Sequence, residues 1–217
     1  MVAVLFASRS NRRAQVTAVG QPAINIQKSA FALNLPNAIT IGRIFLVPLL
    51  VVVLLTKFEG HLILGVRKEL VGAAIFGLAS LTDWLDGYLA RRRQQVTTLG
   101  QFMDPLADKL LITAALVSLV QMDLAQSWMV VVILGREIAV TVLRSLAQSR
   151  GVAIPASPLG KFKMVSQVVA ILLLILGDHV PEFAALGRIV LWIAMLTAVA
   201  SAVDYYRRFN GVINQNW

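Results

Sequence analysis

Six long apolar runs follow one another along most of this chain, and they constrain its fold more than any other feature. A helix that crosses the hydrocarbon core of a bilayer needs about 20 mostly apolar residues. Of the 217 residues, 58% are hydrophobic and the mean hydropathy is +0.75, which excludes an ordinary soluble domain. We therefore predict an all-α integral membrane bundle of six transmembrane helices, with spans at 38–56, 70–90, 99–121, 127–149, 160–177 and 183–205.

The first 34 residues differ from the rest in composition. They contain four basic side chains and no acidic one. We interpret residues 1–34 as a basic N-terminal arm, flexible or interfacial; an organellar transit peptide is the alternative for an acid-poor, arginine-bearing leader. One membrane domain is then expected over residues 35–210, followed by a C-terminal tail at 211–217.

The positions of lysine and arginine predict the orientation of the bundle. With the N-terminus in the cytoplasm, the cytoplasmic side carries the clusters Arg91–Arg93, Lys161 with Lys163, and Arg207–Arg208. The positive-inside rule favours this arrangement, with both termini inside. The net charge of +9 is then mainly a topology signal and not an indication of nucleic-acid binding. We expect a bacterial inner membrane, with an organellar inner membrane as the alternative.

Four aspartates lie between the second and third apolar runs, where ionised side chains are costly in or near lipid. On a helix, Asp83 and Asp86 are roughly 60° apart and Asp104 and Asp108 roughly 40°, so each pair shares a face. A loop of about ten residues between the runs makes the helices antiparallel neighbours and lets the four carboxylates converge. Because four such acids would repel one another, cations are expected between them. Oxygen ligation suits Mg²⁺ or Mn²⁺, and two divalent ions form a known clamp for phosphoryl chemistry.

Small residues and an arginine accompany the aspartates. Gly87, Ala90 and Gly100 leave space between the two helices, and Arg91 offers a planar donor fork that suits a diphosphate. Taken singly, the small residues are equally typical of close helix packing in membranes.

The complete pattern D-x2-D-G-x2-A-R-x8-G-x3-D-x3-D, from Asp83 to Asp108, resembles the signature of the CDP-alcohol phosphatidyltransferase family. The resemblance implies a membrane enzyme of six helices, usually a homodimer, that transfers a phosphatidyl group from a CDP-linked lipid to an alcohol and releases CMP. It assigns the metal ions to Asp83, Asp86, Asp104 and Asp108, with Asp108 also acting as the catalytic general base. It further implies that CDP-diacylglycerol is bound by Gly87, Ala90, Arg91 and Gly100.

Further cations point to an acceptor that carries its own phosphate. Arg136 and Arg144 are roughly 80° apart on one helix and can face one cavity, and Lys161 begins the next apolar run. The alternative is that the arginines form a structural ion pair with Glu137. Of the two interpretations, we favour anion binding. For Lys163 we expect snorkelling to the membrane interface.

These segments, together with residues 35–43, resemble the branch of the family that uses sn-glycerol 3-phosphate. The resemblance implies that Arg136, Arg144 and Lys161 bind glycerol 3-phosphate. It also implies that three residues of the first helix lie near the nucleotide of CDP-diacylglycerol: Asn37, Thr40 and Arg43.

Two alternatives stay open at this point. The same chemistry can use another acceptor, such as serine, inositol phosphate or phosphatidylglycerol. A divalent-cation transporter is the alternative from a different class, although its carboxylates should lie near the midplane of several helices.

Overall fold

Six helices make up nearly all of the part of the chain that a computed structural model describes. That part comprises the backbone of residues 35–56, 62–63, 65–93, 98–149 and 158–214, and the side chains of these residues except 35–37, 62, 83–102, 104, 158 and 212–214. The helices are α1 (Leu35–Leu55), α2 (Lys68–Arg93), α3 (Thr98–Gln121), α4 (Ser127–Ser149), α5 (Pro158–Gly177) and α6 (Pro181–Asn214). Two short antiparallel strands, β1 (Leu62–Ile63) and β2 (Val66–Arg67), separate α1 from α2.

The helical prediction is confirmed, with changes at the helix ends. Five of the six predicted spans agree with a helix to within three residues at each end, whereas α6 continues to Asn214 and so enters the predicted C-terminal tail. The connection between α2 and α3 is residues 94–97, which is shorter than the loop of about ten residues that the sequence predicts. The predicted N-terminal arm lies outside the described residues.

Three stretches of the described helices are long and apolar enough to cross a membrane: Ala38–Leu55 of α1, Leu159–Gly177 of α5 and Pro181–Gly211 of α6. Helix α4 differs because Arg136, Glu137 and Arg144 interrupt its apolar sequence. Helix α3 likewise carries Asp108 and Lys109 in its first half. The charges that interrupt these two helices are therefore candidates for a buried polar site.

Apolar side chains from several helices form one core. Leu50 and Leu54 of α1, Phe76 of α2, Leu116 of α3 and Leu174 of α5 are all buried in it. Helix α1 packs against α2 and α3, α5 packs along α6, and α4 contacts α6. These contacts fix how the helices are rotated about their axes, and so decide which polar residues face one another.

Close approach between helices depends on two glycines near the α5–α6 turn. A Cβ atom added at Gly177 would lie 2.5 Å from the backbone nitrogen of Ala184, and one added at Gly187 would lie 2.9 Å from the Cγ of Leu174. Three residues, 178–180, separate the two helices, so they form a tight helical hairpin. This hairpin supplies one wall of the cavity described next.

Candidate active site

A cavity of about 600 Å³ lies among helices α3, α4, α5 and α6. Its lining comes from the first half of α3, the second half of α4, the beginning of α5 and the later part of α6. In an up-and-down bundle these segments lie at the same end, which is also the end where α2 stops and α3 begins. The volume falls within the range of small-molecule sites, roughly 300–1,000 Å³.

Asp108 lines this cavity and is held by an arginine from another helix. The Nη1 of Arg43 donates a hydrogen bond to the Oδ1 of Asp108 at 2.8 Å. The Arg43 side chain is 1% exposed, whereas that of Asp108 is 29% exposed, so the carboxylate is the more accessible partner. Thr40, one turn before Arg43, is buried as well. The pair therefore ties α1 to α3 and orients the carboxylate at the cavity wall.

A second cluster joins Arg136 and Glu137 of α4 to Lys163 of α5. The Nη1 of Arg136 lies 3.0 Å from the Oε1 of Glu137, and the Nζ of Lys163 contacts the same oxygen. Arg136 also donates hydrogen bonds from Nε to the carbonyl of Ala198, at 3.1 Å, and from Nη2 to the Oγ of Ser201, at 2.6 Å. Glu137 thus stands between two largely buried cations and compensates their repulsion.

This cluster corrects two expectations. Arg136 does pair with Glu137, the alternative that the sequence made less favourable, and its three protein contacts leave only part of its five N–H donors for a ligand. Lys163 does not snorkel to the membrane interface; its side chain is 7% exposed and faces Glu137. The reason is that the half-buried carboxylate of Glu137 on α4 offers Lys163 an ion-pair partner inside the bundle.

Arg144 and Lys161 are the more accessible cations of the cavity. Both are exposed residues, and both line it. The Cζ of Arg144 lies 5.9 Å from the ring centroid of Tyr205 on α6, a cation–π distance that steadies the guanidinium without neutralising it. The structure therefore brings together the three residues that the sequence grouped for an anion: Arg136, Arg144 and Lys161.

Lys109 is a cavity residue that the sequence analysis missed. Its Nζ donates a hydrogen bond to the Oγ1 of Thr141 at 2.7 Å, and the Oγ1 of Thr141 donates to the carbonyl of Glu137 at 2.6 Å. The sequence signal that could have identified Lys109 is its position directly after Asp108. That signal is weak, because the orientation of a helix about its axis decides whether two consecutive residues face the same cavity.

The cavity lining carries net positive charge. Five cationic side chains and two anionic ones line it, which leaves a formal charge of +3: Lys109, Arg136, Arg144, Lys161 and Lys163 against Asp108 and Glu137. A small ligand with two negative charges would offset most of this excess. Such a lining suits a phosphorylated substrate better than a neutral or zwitterionic one.

The side chains of most predicted metal and nucleotide residues lie outside the described part of the chain: Asn37, Asp83, Asp86, Gly87, Ala90, Arg91, Gly100 and Asp104. Their backbones belong to α1, the end of α2 and the beginning of α3, and α2 contacts α3.

Asp108 provides the test of whether the residues fit a divalent cation. One of its oxygens is bonded to Arg43, but a carboxylate has about four acceptor positions on two oxygens and can serve a guanidinium and a cation together. An all-carboxylate donor set also has the chemistry that Mg²⁺ and Mn²⁺ prefer. Asp108 therefore keeps acceptor positions for such an ion, and the metal site as a whole stays a prediction.

Comparisons with known proteins agree with the aspartate signature. The profile of the CDP-alcohol phosphatidyltransferase family matches residues 33–200. A Bacillus subtilis protein named CDP-diacylglycerol–glycerol-3-phosphate 3-phosphatidyltransferase is 43% identical over 182 residues, 81% of this chain and 94% of that protein. A Rickettsia typhi protein of the same name is 37% identical over 177 residues, 80% of this chain and 96% of its own. A Mycobacterium tuberculosis protein named as a probable phosphatidylglycerophosphate synthase is 39% identical over 201 residues, 93% of each chain.

Proposed function

Because this chain belongs to the CDP-alcohol phosphatidyltransferase family, we propose that it transfers the phosphatidyl group of CDP-diacylglycerol to sn-glycerol 3-phosphate. The products are phosphatidylglycerol phosphate and CMP, so the enzyme acts in phospholipid biosynthesis. The names of the Bacillus and Rickettsia relatives support this acceptor. The observation that carries the proposal is the cavity itself, where one accessible carboxylate and an excess of cations line the same space.

In the proposed reaction, Asp108 accepts the proton of the 1-hydroxyl of glycerol 3-phosphate. The hydroxyl oxygen forms a bond to the phosphorus nearest diacylglycerol, the bond from that phosphorus to the oxygen of CMP breaks, and CMP leaves. Arg43 keeps the carboxylate of Asp108 oriented toward the cavity through the 2.8 Å hydrogen bond. Positioning of the hydroxyl and stabilisation of the leaving phosphate are the expected sources of rate.

The phosphate of the acceptor is assigned to the accessible cations. Arg144 and Lys161 can both reach a phosphate in the cavity, because both line it and both are exposed. Arg136 contributes to phosphate binding through the N–H donors that its protein contacts leave available, while its ion pair with Glu137 holds the guanidinium in place. The net charge of +3 attracts a phosphate monoester and leaves serine, which has no net charge, without a comparable gain.

For the metal, we assign two divalent cations, Mg²⁺ or Mn²⁺, to Asp83, Asp86, Asp104 and Asp108. When bound, they would offset the negative charge of the diphosphate and that of the departing CMP. CDP-diacylglycerol is assigned to Gly87, Ala90, Arg91 and Gly100, with Asn37, Thr40 and Arg43 near its nucleotide. The support is the spacing of the signature and the place of α2 and α3 at the same end of the bundle as the cavity.

We further place the enzyme in a bacterial cell membrane as a six-span homodimer whose active site faces the cytoplasm. The apolar stretches of α1, α5 and α6 support insertion in a membrane. The basic clusters of the sequence support the orientation, because the end of the bundle that holds the cavity is the end they are expected to keep in the cytoplasm.

An acceptor panel tests the proposal. The purified protein is supplied with CDP-diacylglycerol and, in separate reactions, with sn-glycerol 3-phosphate, serine, inositol phosphate or phosphatidylglycerol, and the release of CMP is measured. Glycerol 3-phosphate should give the highest kcat/KM. A higher kcat/KM with another alcohol would leave the proposed reaction in place and change only its acceptor. If no CMP is released with any of the four acceptors, the enzyme assignment is contradicted.

A further inference from the structure

Gln167 is a buried polar residue whose amide group has no assigned purpose. It lies on α5, its side chain lines the cavity, and the residue is 3% exposed. Its Nε2 has no hydrogen-bond partner among the described residues. By contrast, Lys163 one turn earlier pairs with Glu137, and neighbouring Ser166 donates a hydrogen bond to the carbonyl of Lys163 at 2.9 Å. An unpaired buried donor is costly, so a ligand in the cavity is the natural partner for this amide.

The position of Gln167 separates it from the accessible cations. It follows Lys161 by six residues on the same helix, which corresponds to about 9 Å along the axis. Lys161 lies in the first turn of α5, so Gln167 reaches the cavity at a deeper level of the bundle. A single small acceptor can therefore meet Lys161 with one end and Gln167 with another part.

The chemistry of the amide favours a neutral oxygen as its partner. The cavity already offers the exposed cations Arg144 and Lys161 to a phosphate, and an uncharged N–H group adds little to them. Glycerol 3-phosphate also carries two hydroxyls, of which one is the nucleophile. The other, the secondary hydroxyl at C2, loses its water contacts on entering the cavity and needs a protein partner.

We propose that Gln167 is a specificity-determining residue whose side-chain amide donates a hydrogen bond to the secondary hydroxyl of the acceptor alcohol. This inference rests on the proposed function, since it requires a phosphorylated polyol as the acceptor. A site built to hydrogen-bond a hydroxyl rejects the analogue that lacks it, because its own polar group is then left unpaired. Gln167 thus selects for a hydroxyl at C2, while the cations select for the phosphate.

The test compares two acceptors that differ only in that hydroxyl: sn-glycerol 3-phosphate and 3-hydroxypropyl phosphate. The wild-type enzyme should prefer glycerol 3-phosphate in kcat/KM by roughly 5- to 150-fold, the range expected when a buried donor is left without a partner. In Gln167→Met, which keeps the side-chain length without the amide, this preference should fall to about 2-fold or less. The fall should have two parts: glycerol 3-phosphate turnover decreases because its hydroxyl loses a partner, and 3-hydroxypropyl phosphate turnover increases because no unpaired donor remains.

Ser166→Ala is the matched control, because Ser166 is buried on the same helix, does not line the cavity, and bonds to its own backbone. It should retain the wild-type preference. Gln167→Ala serves as a second variant, and thermal unfolding in detergent identifies any variant that has lost its fold.

Three results would overturn the inference. One is an equal loss of turnover for both acceptors in folded Gln167 variants. Another is an unchanged preference in those variants; a lost preference in Tyr205→Phe would then assign the hydroxyl to Tyr205, a cavity residue whose buried hydroxyl has no partner among the described residues. The third is a wild-type protein that does not use glycerol 3-phosphate, which would remove the proposed function as well; the first two results leave that function standing.

Discussion

Replacing Glu137 by glutamine should destabilise the protein through the repulsion of two buried cations. Glu137 contacts both Arg136 and Lys163, whose side chains are 11% and 7% exposed. The three side chains together carry a formal charge of +1. In Glu137→Gln the same space carries +2, with no carboxylate between the cations.

The size of the effect follows from the burial of the three side chains. Removing one partner of a buried ion pair costs about 3–5 kcal/mol. Because Glu137 is 24% exposed and the cluster borders a cavity, we take the lower end, about 3 kcal/mol. For a chain of this length, each kcal/mol corresponds to a change in Tm of roughly 2–4 °C. The expected decrease in Tm is therefore about 6–12 °C.

Thermal unfolding of the purified protein in one detergent provides the measurement, with Lys163→Met and the double variant Glu137→Gln/Lys163→Met as companions. Lys163→Met keeps the pair between Arg136 and Glu137, so its Tm should fall less than that of Glu137→Gln. The double variant again carries +1, and its Tm should recover part of the loss. The reasoning would be refuted if Glu137→Gln were as stable as the wild type, or if adding Lys163→Met lowered the Tm further.

Three further predictions concern activity, each followed by CMP release. Treatment with EDTA should abolish turnover, and added Mg²⁺ or Mn²⁺ should restore it. The variant Asp83→Asn should stay inactive with either ion. Full activity of the metal-free protein would contradict the metal assignment. Asp108→Asn should lose nearly all turnover yet bind CDP-diacylglycerol more nearly like the wild type than Asp83→Asn does, and substantial remaining turnover would mean that another group accepts the proton. Arg144→Ala and Lys161→Ala should each raise the KM for glycerol 3-phosphate by roughly 10- to 150-fold, because a charge-assisted contact is lost. The KM for CDP-diacylglycerol should change far less. Equal effects on both KM values would argue against binding of the acceptor phosphate by these residues. Arg144→Lys should restore that KM only in part, because a point charge does not reproduce a planar donor fork.

The structure changes what is expected of Arg136. As a simple anion ligand it should affect only the KM for glycerol 3-phosphate. Its hydrogen bonds to Ala198 and Ser201 and its pairing with Glu137 now join α4 to α6, so Arg136→Ala should lower stability as well. Arg144 is the better residue for testing the acceptor, since it is exposed and its described side-chain contact is the Tyr205 ring.

The sequence by itself determined the helices and the order of the charged segments. The length of an apolar run sets the length of the helix that can cross a bilayer, and this information is local. Five of the six predicted segments therefore agree with a helix to within three residues at each end. The spacing of the aspartates was also readable, because residues three or four apart on any helix share a face.

Only the tertiary structure decided which charges meet. Lys161 and Lys163 are two residues apart, and no local pattern predicts that one is exposed and the other is buried against Glu137. Likewise, Lys109 and Gln167 gain their places at the cavity from the packing of α3, α4 and α5. The physical reason is that each residue turns a helix by about 100°, so a partner on another helix depends on how the two helices are rotated and packed, which no local pattern specifies.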